Sequence, residues 1–200
     1  MNITKVFVVM LALLVSGFTS QKSEPPVSGD YGDLSLAFDP VQKTVTGHYE
    51  SYTGYDEATK QPRFSCIFYL EGKVERNSAT VTTYYPGEKN EDAIQGTLKL
   101  LGAGKATLQL ATDHGGCWNV QSFTSPIEFT LAKKENWIAS KFSQQDKLYF
   151  YSEKNEAKKL RSYIIKGNIV FIEKIEGDWA FCKYYGKVVT AGWMKVSGLN

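Results

Sequence analysis

Between residues 34 and 131 apolar side chains recur at every second position, and no other property of this sequence restricts its fold so strongly. Leu34, Leu36 and Phe38 share one parity, as do Val45, Gly47 and Tyr49, and then Phe64, Cys66, Phe68 and Leu70. Val81, Thr83 and Tyr85 follow, then Ile94, Leu98 and Leu100, then Ala106, Leu108 and Leu110, and last Ile127, Phe129 and Leu131. Successive side chains of an extended chain point to opposite faces, so this period places each set on one buried face. Turn chemistry interrupts the runs at Asp39-Pro40, Glu71-Gly72, Pro86-Gly87, Gly102-Ala103-Gly104 and residues 113–116. About seven short strands with no helical stretch between them predict an antiparallel β-barrel or sandwich over 33–131. Closure would remove the exposed edges that invite aggregation.

Residues 132–145 (AKKENWIASKFSQQ) lose the alternation, turn polar and lysine-rich, and read as a linker in which Trp137 and Ile138 are placed to pack between two units. Residues 146–200 are strand-rich again, and 153–161, the one helix-friendly stretch after the start of the chain, is short and reads as a loop. Tyr149 and Tyr151 open this part, followed by YIIKG at 163–167, Val170 and Ile172, GDW at 177–179, Gly192-Trp193, Val196 and Leu199. That order and spacing resembles a bacterial SH3-like domain, and the resemblance implies a five-stranded barrel over 146–200. The opening LYFYSEKN departs from the Asn-Val-Arg-Ser-Gly-Pro-like opening of members that grip cell-wall peptides. In the first unit, TVTGHYESYTGYDE followed by FSCIFYLEG looks like the opening of small exported barrels of lipocalin or avidin type.

The chain begins with Lys5, an apolar run over 6–15 and the small residues Ser16 and Gly17. The run is far shorter than the roughly 20 residues that cross a bilayer, so residues 1–20 are expected to be a secretory signal peptide, followed by a flexible segment over 21–32. Phe18 stands where a lipoprotein leader carries its lipid-accepting cysteine. The mature protein is therefore expected to be periplasmic or secreted, with no membrane insertion once the signal is removed. In an oxidising compartment Cys66 and Cys117, which fall in the same unit, are expected to pair, leaving Cys182 as a buried thiol. The 23 Lys plus Arg against 21 Asp plus Glu are scattered, whereas a nucleic-acid partner needs concentrated positive charge.

Catalysis needs a nucleophile, a base and a group that stabilises charge within mutual reach. The two histidines are His48, placed by alternation on an outward strand face with Thr44, Thr46 and Glu50, and His114 in the sequence Asp113-His114-Gly115-Gly116-Cys117. Asp, His and Cys together would suit a thiol protease, but a disulfide takes the cysteine, and one Cys-His neighbour pair lacks the spacing of zinc ligands. No catalytic residue, metal ligand or cofactor is expected. The informative clusters are aromatic: Tyr52, Tyr55, Tyr84, Tyr85 and Trp118 near one rim of the first unit, with Tyr149, Tyr151 and Tyr184 in the second. These residues point to a non-enzymatic exported binding protein that recognises a cell-envelope component, such as a peptidoglycan-derived ligand, or a protein partner, an inhibitor or immunity-type protein being one form. The alternatives are an envelope hydrolase targeted by the SH3-like module, and a carrier with a hollow lined by Leu36, Phe68 and Leu108.

Overall fold

The computed structural model describes residues 25–87 and 92–200; the leader expected over 1–20 and residues 88–91 lie outside the described residues. The chain is all-β, with two antiparallel sheets and a few short 3-10 turns. Among the described residues no helix is long and apolar enough to cross a membrane.

The first sheet contains β1 (Gly29–Asp30), β2 (Leu34–Asp39), β3 (Thr44–Asp56), β4 (Gln61–Glu75), β5 (Ser78–Tyr84), β6 (Ile94–Gly102), β7 (Lys105–Leu110), β8 (Ile127–Thr130) and β9 (Lys133–Lys134). Its order is β8-β7-β6-β5-β4-β3-β2-β1-β9, a meander curled into a half-barrel. The outer strands β8 and β9 are consecutive in sequence, so the chain itself ties the two edges together. The Leu131 amide donates to the Gly104 carbonyl, and the Ala132 amide to that of Asp30, both at 2.8 Å. Alternation fills the concave side with Leu34, Leu36, Val45, Tyr49, Phe68, Leu70, Val81, Leu98 and Leu108, and the connection from β7 to β8 adds Phe123. Leu36, Phe68 and Leu108, the residues a carrier would need around a hollow, are fully buried within this packed cluster.

The hairpin of β3 and β4 outgrows its neighbours. Pairing with β2 stops at Tyr49 and pairing with β5 begins at Tyr69, so the β3 and β4 residues beyond them continue as a two-stranded arm. The Asp56 carboxylate shapes its tip, accepting from the Ala58 amide at 2.8 Å and from Arg63 at 2.8 Å.

The second sheet contains β10 (Ala139–Phe142), β11 (Leu148–Tyr151), β12 (Lys159–Ile164), β13 (Ile169–Glu176), β14 (Trp179–Tyr185) and β15 (Val189–Lys195), in the order β10-β13-β14-β15-β11-β12. It has a sixth strand where five were expected, because the stretch read as a linker supplies β9 to the first sheet and β10 to the second. Ser140 and Phe142 carry the local alternation of β10 and are buried. The expected loop over 153–161 contains a 3-10 turn, Glu156–Lys158, capped by the Asn155 side chain accepting from the Ala157 amide at 2.9 Å, and then enters β12. Leu148, Phe150, Ile164, Val170, Ile172, Ala180, Cys182 and Met194 form the core.

A third cluster joins the sheets. Ala37, Tyr69 and Tyr84 on the convex side of the half-barrel pack against Trp137, Phe142, Ile169 and Phe171. The outward face of β2 to β5 is thus covered by the second sheet, and Thr46, expected in solvent, is only 8% exposed.

Candidate functional site

In the 113–117 loop the side chains of Asp113, His114 and Cys117 are already engaged. His114 Nε2 lies 2.7 Å from Thr83 Oγ1, and its ring stacks on Phe68 at 5.2 Å. Burial pushes its pKa below the ordinary 6.5, against the opposing pull of Asp113. The Asp113 carboxylate accepts from the Phe123 amide at 2.6 Å and from the Ser122 hydroxyl at 2.8 Å. Cys117 is disulfide-bonded to Cys66 with Cα atoms 4.3 Å apart, as expected, so neither sulfur is a thiolate. Gly116 has φ 85°, and a Cβ there would lie 2.7 Å from the Ser65 carbonyl oxygen. Only glycine lets the loop come this close to β4, so the Gly-Gly sequence serves the cystine.

The outer face of the second sheet is aromatic, with Trp193 at its centre only 9% exposed. Alternation turns Tyr149 and Tyr151 of β11, Tyr163 of β12, Trp179 and Phe181 of β14 and Trp193 of β15 away from the core. Register then makes them neighbours: Trp193 pairs with Phe181 on one side and Tyr151 on the other, and Tyr149 pairs with Tyr163. Phe181 and Trp193 meet edge to face at 5.5 Å, as do Tyr151 and Trp179 at 5.0 Å. Lysine ammonium groups lie over the rings: Lys159 3.7 Å from the Tyr149 centroid, Lys195 4.1 Å from Trp179, Lys174 4.8 Å from Trp193 and Lys147 5.0 Å from Tyr163. Each contact of this kind contributes about 0.5–1 kcal/mol at an exposed site and holds the rings in place. Glu176 binds Lys154 and Lys174, which keep its carboxyl below the ordinary range, whereas Lys147 and Lys159 make no ion pair among the described residues.

A second concavity of about 610 Å³ lies where the two units meet. Its floor is the convex side of the half-barrel, with Ser35, His48, Glu50, Tyr52 and Ile67; Asp33, Tyr85 and Pro86 stand at the edges. The opposite wall comes from Lys166 to Asn168, Phe171, Tyr184 and Tyr185. The Tyr52 hydroxyl donates to Glu50 Oε1 at 2.5 Å, and His48 Nε2 is 3.8 Å from the other carboxylate oxygen. Burial lowers the His48 pKa, with Glu50 opposing, while burial and Glu50 push the Tyr52 phenol up to about 12. His48, expected in solvent, therefore has a side chain only 13% exposed.

The aromatic residues singled out in the sequence thus divide among four places. Tyr149 and Tyr151 are on the lysine-topped face; Tyr52, Tyr85 and Tyr184 line the cleft; Tyr55 and Trp118 are 59% and 71% exposed on and beside the arm. Tyr84 is not at a rim: it is 5% exposed in the cluster joining the sheets, its hydroxyl donating to Glu71 at 3.1 Å, because the second sheet covers that side of β5. The aromatic face adds Tyr163, Trp179, Phe181 and Trp193 to the expected residues, and their shared parity on adjacent strands is a readable signal. His48, Glu50 and Lys166 carried none, since what makes them neighbours is how the two sheets pack.

Comparison with protein-family models, with curated proteins and with solved structures finds no match to this chain.

Proposed function

We propose that this chain is an exported recognition protein that holds a cell-envelope component, peptidoglycan-derived material foremost, against the aromatic face of its second sheet. The observation that carries this reading is the contiguous set of six rings, Tyr149, Tyr151, Tyr163, Trp179, Phe181 and Trp193, with lysine ammonium groups laid over them. Rigid rings on a sheet offer contact area without ordering cost, and sugar or peptide planes stack on them. Lys147 and Lys159 at one side supply positive charge for carboxylates, which cell-wall stem peptides carry. The leader-like start supports export, and the SH3-like spacing of 146–200 supports a binding module, although its opening LYFYSEKN departs from that of members that grip cell-wall peptides.

Sedimentation of the full chain with purified peptidoglycan tests it. The unaltered protein is expected in the pellet, and Trp179→Ala is expected to weaken retention by about tenfold or more, the effect of losing a central aromatic contact. Equal retention of the variant, or no retention of the unaltered chain, contradicts the reading.

One observation favours a protein partner instead: Tyr55, Phe64 and Trp118 crowd the arm at 59%, 41% and 71% exposure. Cross-linked capture of one envelope protein, lost in Trp118→Ala and kept in Trp179→Ala, would favour that second reading.

A further inference from the structure

The cleft between the sheets shares no lining residue with the aromatic face, and its chemistry differs from that face. Its lining is largely polar. Tyr52, Tyr85, Tyr184 and Tyr185 contribute rings, and Asp33, Glu50, His48, Asn168 and Lys166 contribute donors and acceptors. Tyr52, Tyr85 and Tyr185, which line the cleft, are 48%, 49% and 40% exposed.

Both walls are fixed. The Pro86-Gly87 turn meets the Gly167 turn so closely that a Cβ on Gly87 would lie 3.2 Å from Gly167 Cα, which closes one end. Behind the second wall Trp137 stacks on Phe171 at 4.0 Å and meets Tyr185 edge-on at 5.6 Å. A concavity of about 610 Å³ at a junction of two units is within the usual size of a small-ligand site.

The chemistry of the lining selects the ligand class. Glu50 on the floor and Asp33 at the edge disfavour an anion, and the single lysine, Lys166, sits on the opposite wall. His48 is held neutral by burial and so accepts as well as donates. Carboxylate oxygens take adjacent hydroxyl groups in pairs, an amide both donates and accepts, and tyrosine rings stack on faces of axial C–H groups. We propose that this cleft is a second binding site, for a neutral oligosaccharide of two or three sugar units, independent of the aromatic face.

Calorimetric titration of the full chain with a trimer of β-1,4-linked N-acetylglucosamine, cellotriose, maltotriose and, as an acidic control, trigalacturonate tests this. At least one neutral trimer is expected to bind, with affinity reduced about tenfold or more by Tyr85→Ala and by Glu50→Gln and unchanged by Trp179→Ala. Glu50→Gln keeps the shape of an exposed side chain, so it remains informative if Tyr85→Ala loosens the fold. Binding of none of the neutral trimers, preference for trigalacturonate, or affinity that both cleft variants leave intact would overturn the proposal. Because Trp179→Ala reports on the aromatic face alone, failure here is distinct from failure there.

Discussion

The hydroxyl of Tyr69 in β4 donates to the main-chain carbonyl of Ser140 in β10 at 3.0 Å, joining the two sheets through a backbone edge that neither ladder uses. The Ser140 amide donates in turn to Thr46 Oγ1 at 2.7 Å. Both backbone polar groups of this fully buried residue are satisfied only by the other unit. Tyr69→Phe leaves a buried carbonyl without its donor, at a cost of about 1–3 kcal/mol. Urea unfolding followed by fluorescence and by circular dichroism is expected to show one coincident transition, shifted to lower denaturant in the variant. Two separated transitions in the unaltered protein would show that this contact does not couple the units.

The Cys66–Cys117 bridge spans 51 residues and fixes the 113–117 loop to the base of the arm. Restricting an unfolded loop of that length stabilises the native state by about 4 kcal/mol on the chain-entropy account. Replacing both cysteines by alanine is expected to lower the unfolding free energy by that order. Denaturation with and without reductant checks it, and a change below about 1 kcal/mol would place the stabilisation elsewhere.

Burial pushes the Cys182 thiol up to about 12. A thiol is nucleophilic only as the thiolate, so at pH 8 the native chain is expected to resist an aromatic disulfide reagent and to react with one equivalent on unfolding. Rapid reaction of the folded chain would contradict the placement of Cys182 in the core.

Burial holds His48 and His114 below the ordinary 6.5 in the folded chain. The unfolded chain then binds more protons just below that value, so stability is full above pH 6.5 and falls as acid titrates toward the depressed values. Unfolding free energies measured from pH 7.5 to 5.5 are expected to decline, and the decline is expected to shrink in the double variant His48→Gln, His114→Gln. Stability that rises over this interval would contradict the environment described for both rings.

Much of the fold was legible because a period of two survives wherever one sheet face is buried: Leu34 to Phe38 and Cys66 to Leu70 read directly as strands. The pairing of Cys66 with Cys117 was legible from their place in one unit. What escaped was the side of the half-barrel that looks polar in sequence. Thr46, His48 and Tyr84 alternate outward as solvated residues do, and only the packing of a second sheet buries them. β10 escaped for the same reason, since four residues inside a polar, lysine-rich stretch carry too little alternation to distinguish a strand from a connector. The aromatic face was half-read: Tyr149 and Tyr151 stood out at the start of the second unit, but the register that brings Trp193 between Phe181 and Tyr151 is set by tertiary pairing.

Amide hydrogen exchange of the full chain, with and without saturating soluble peptidoglycan fragments, tests the recognition account most directly. The account predicts slowed exchange in β11, β14 and β15, with the fragments recovered unchanged in mass. Protection confined to the 113–117 loop, or fragments shortened on incubation, would contradict it.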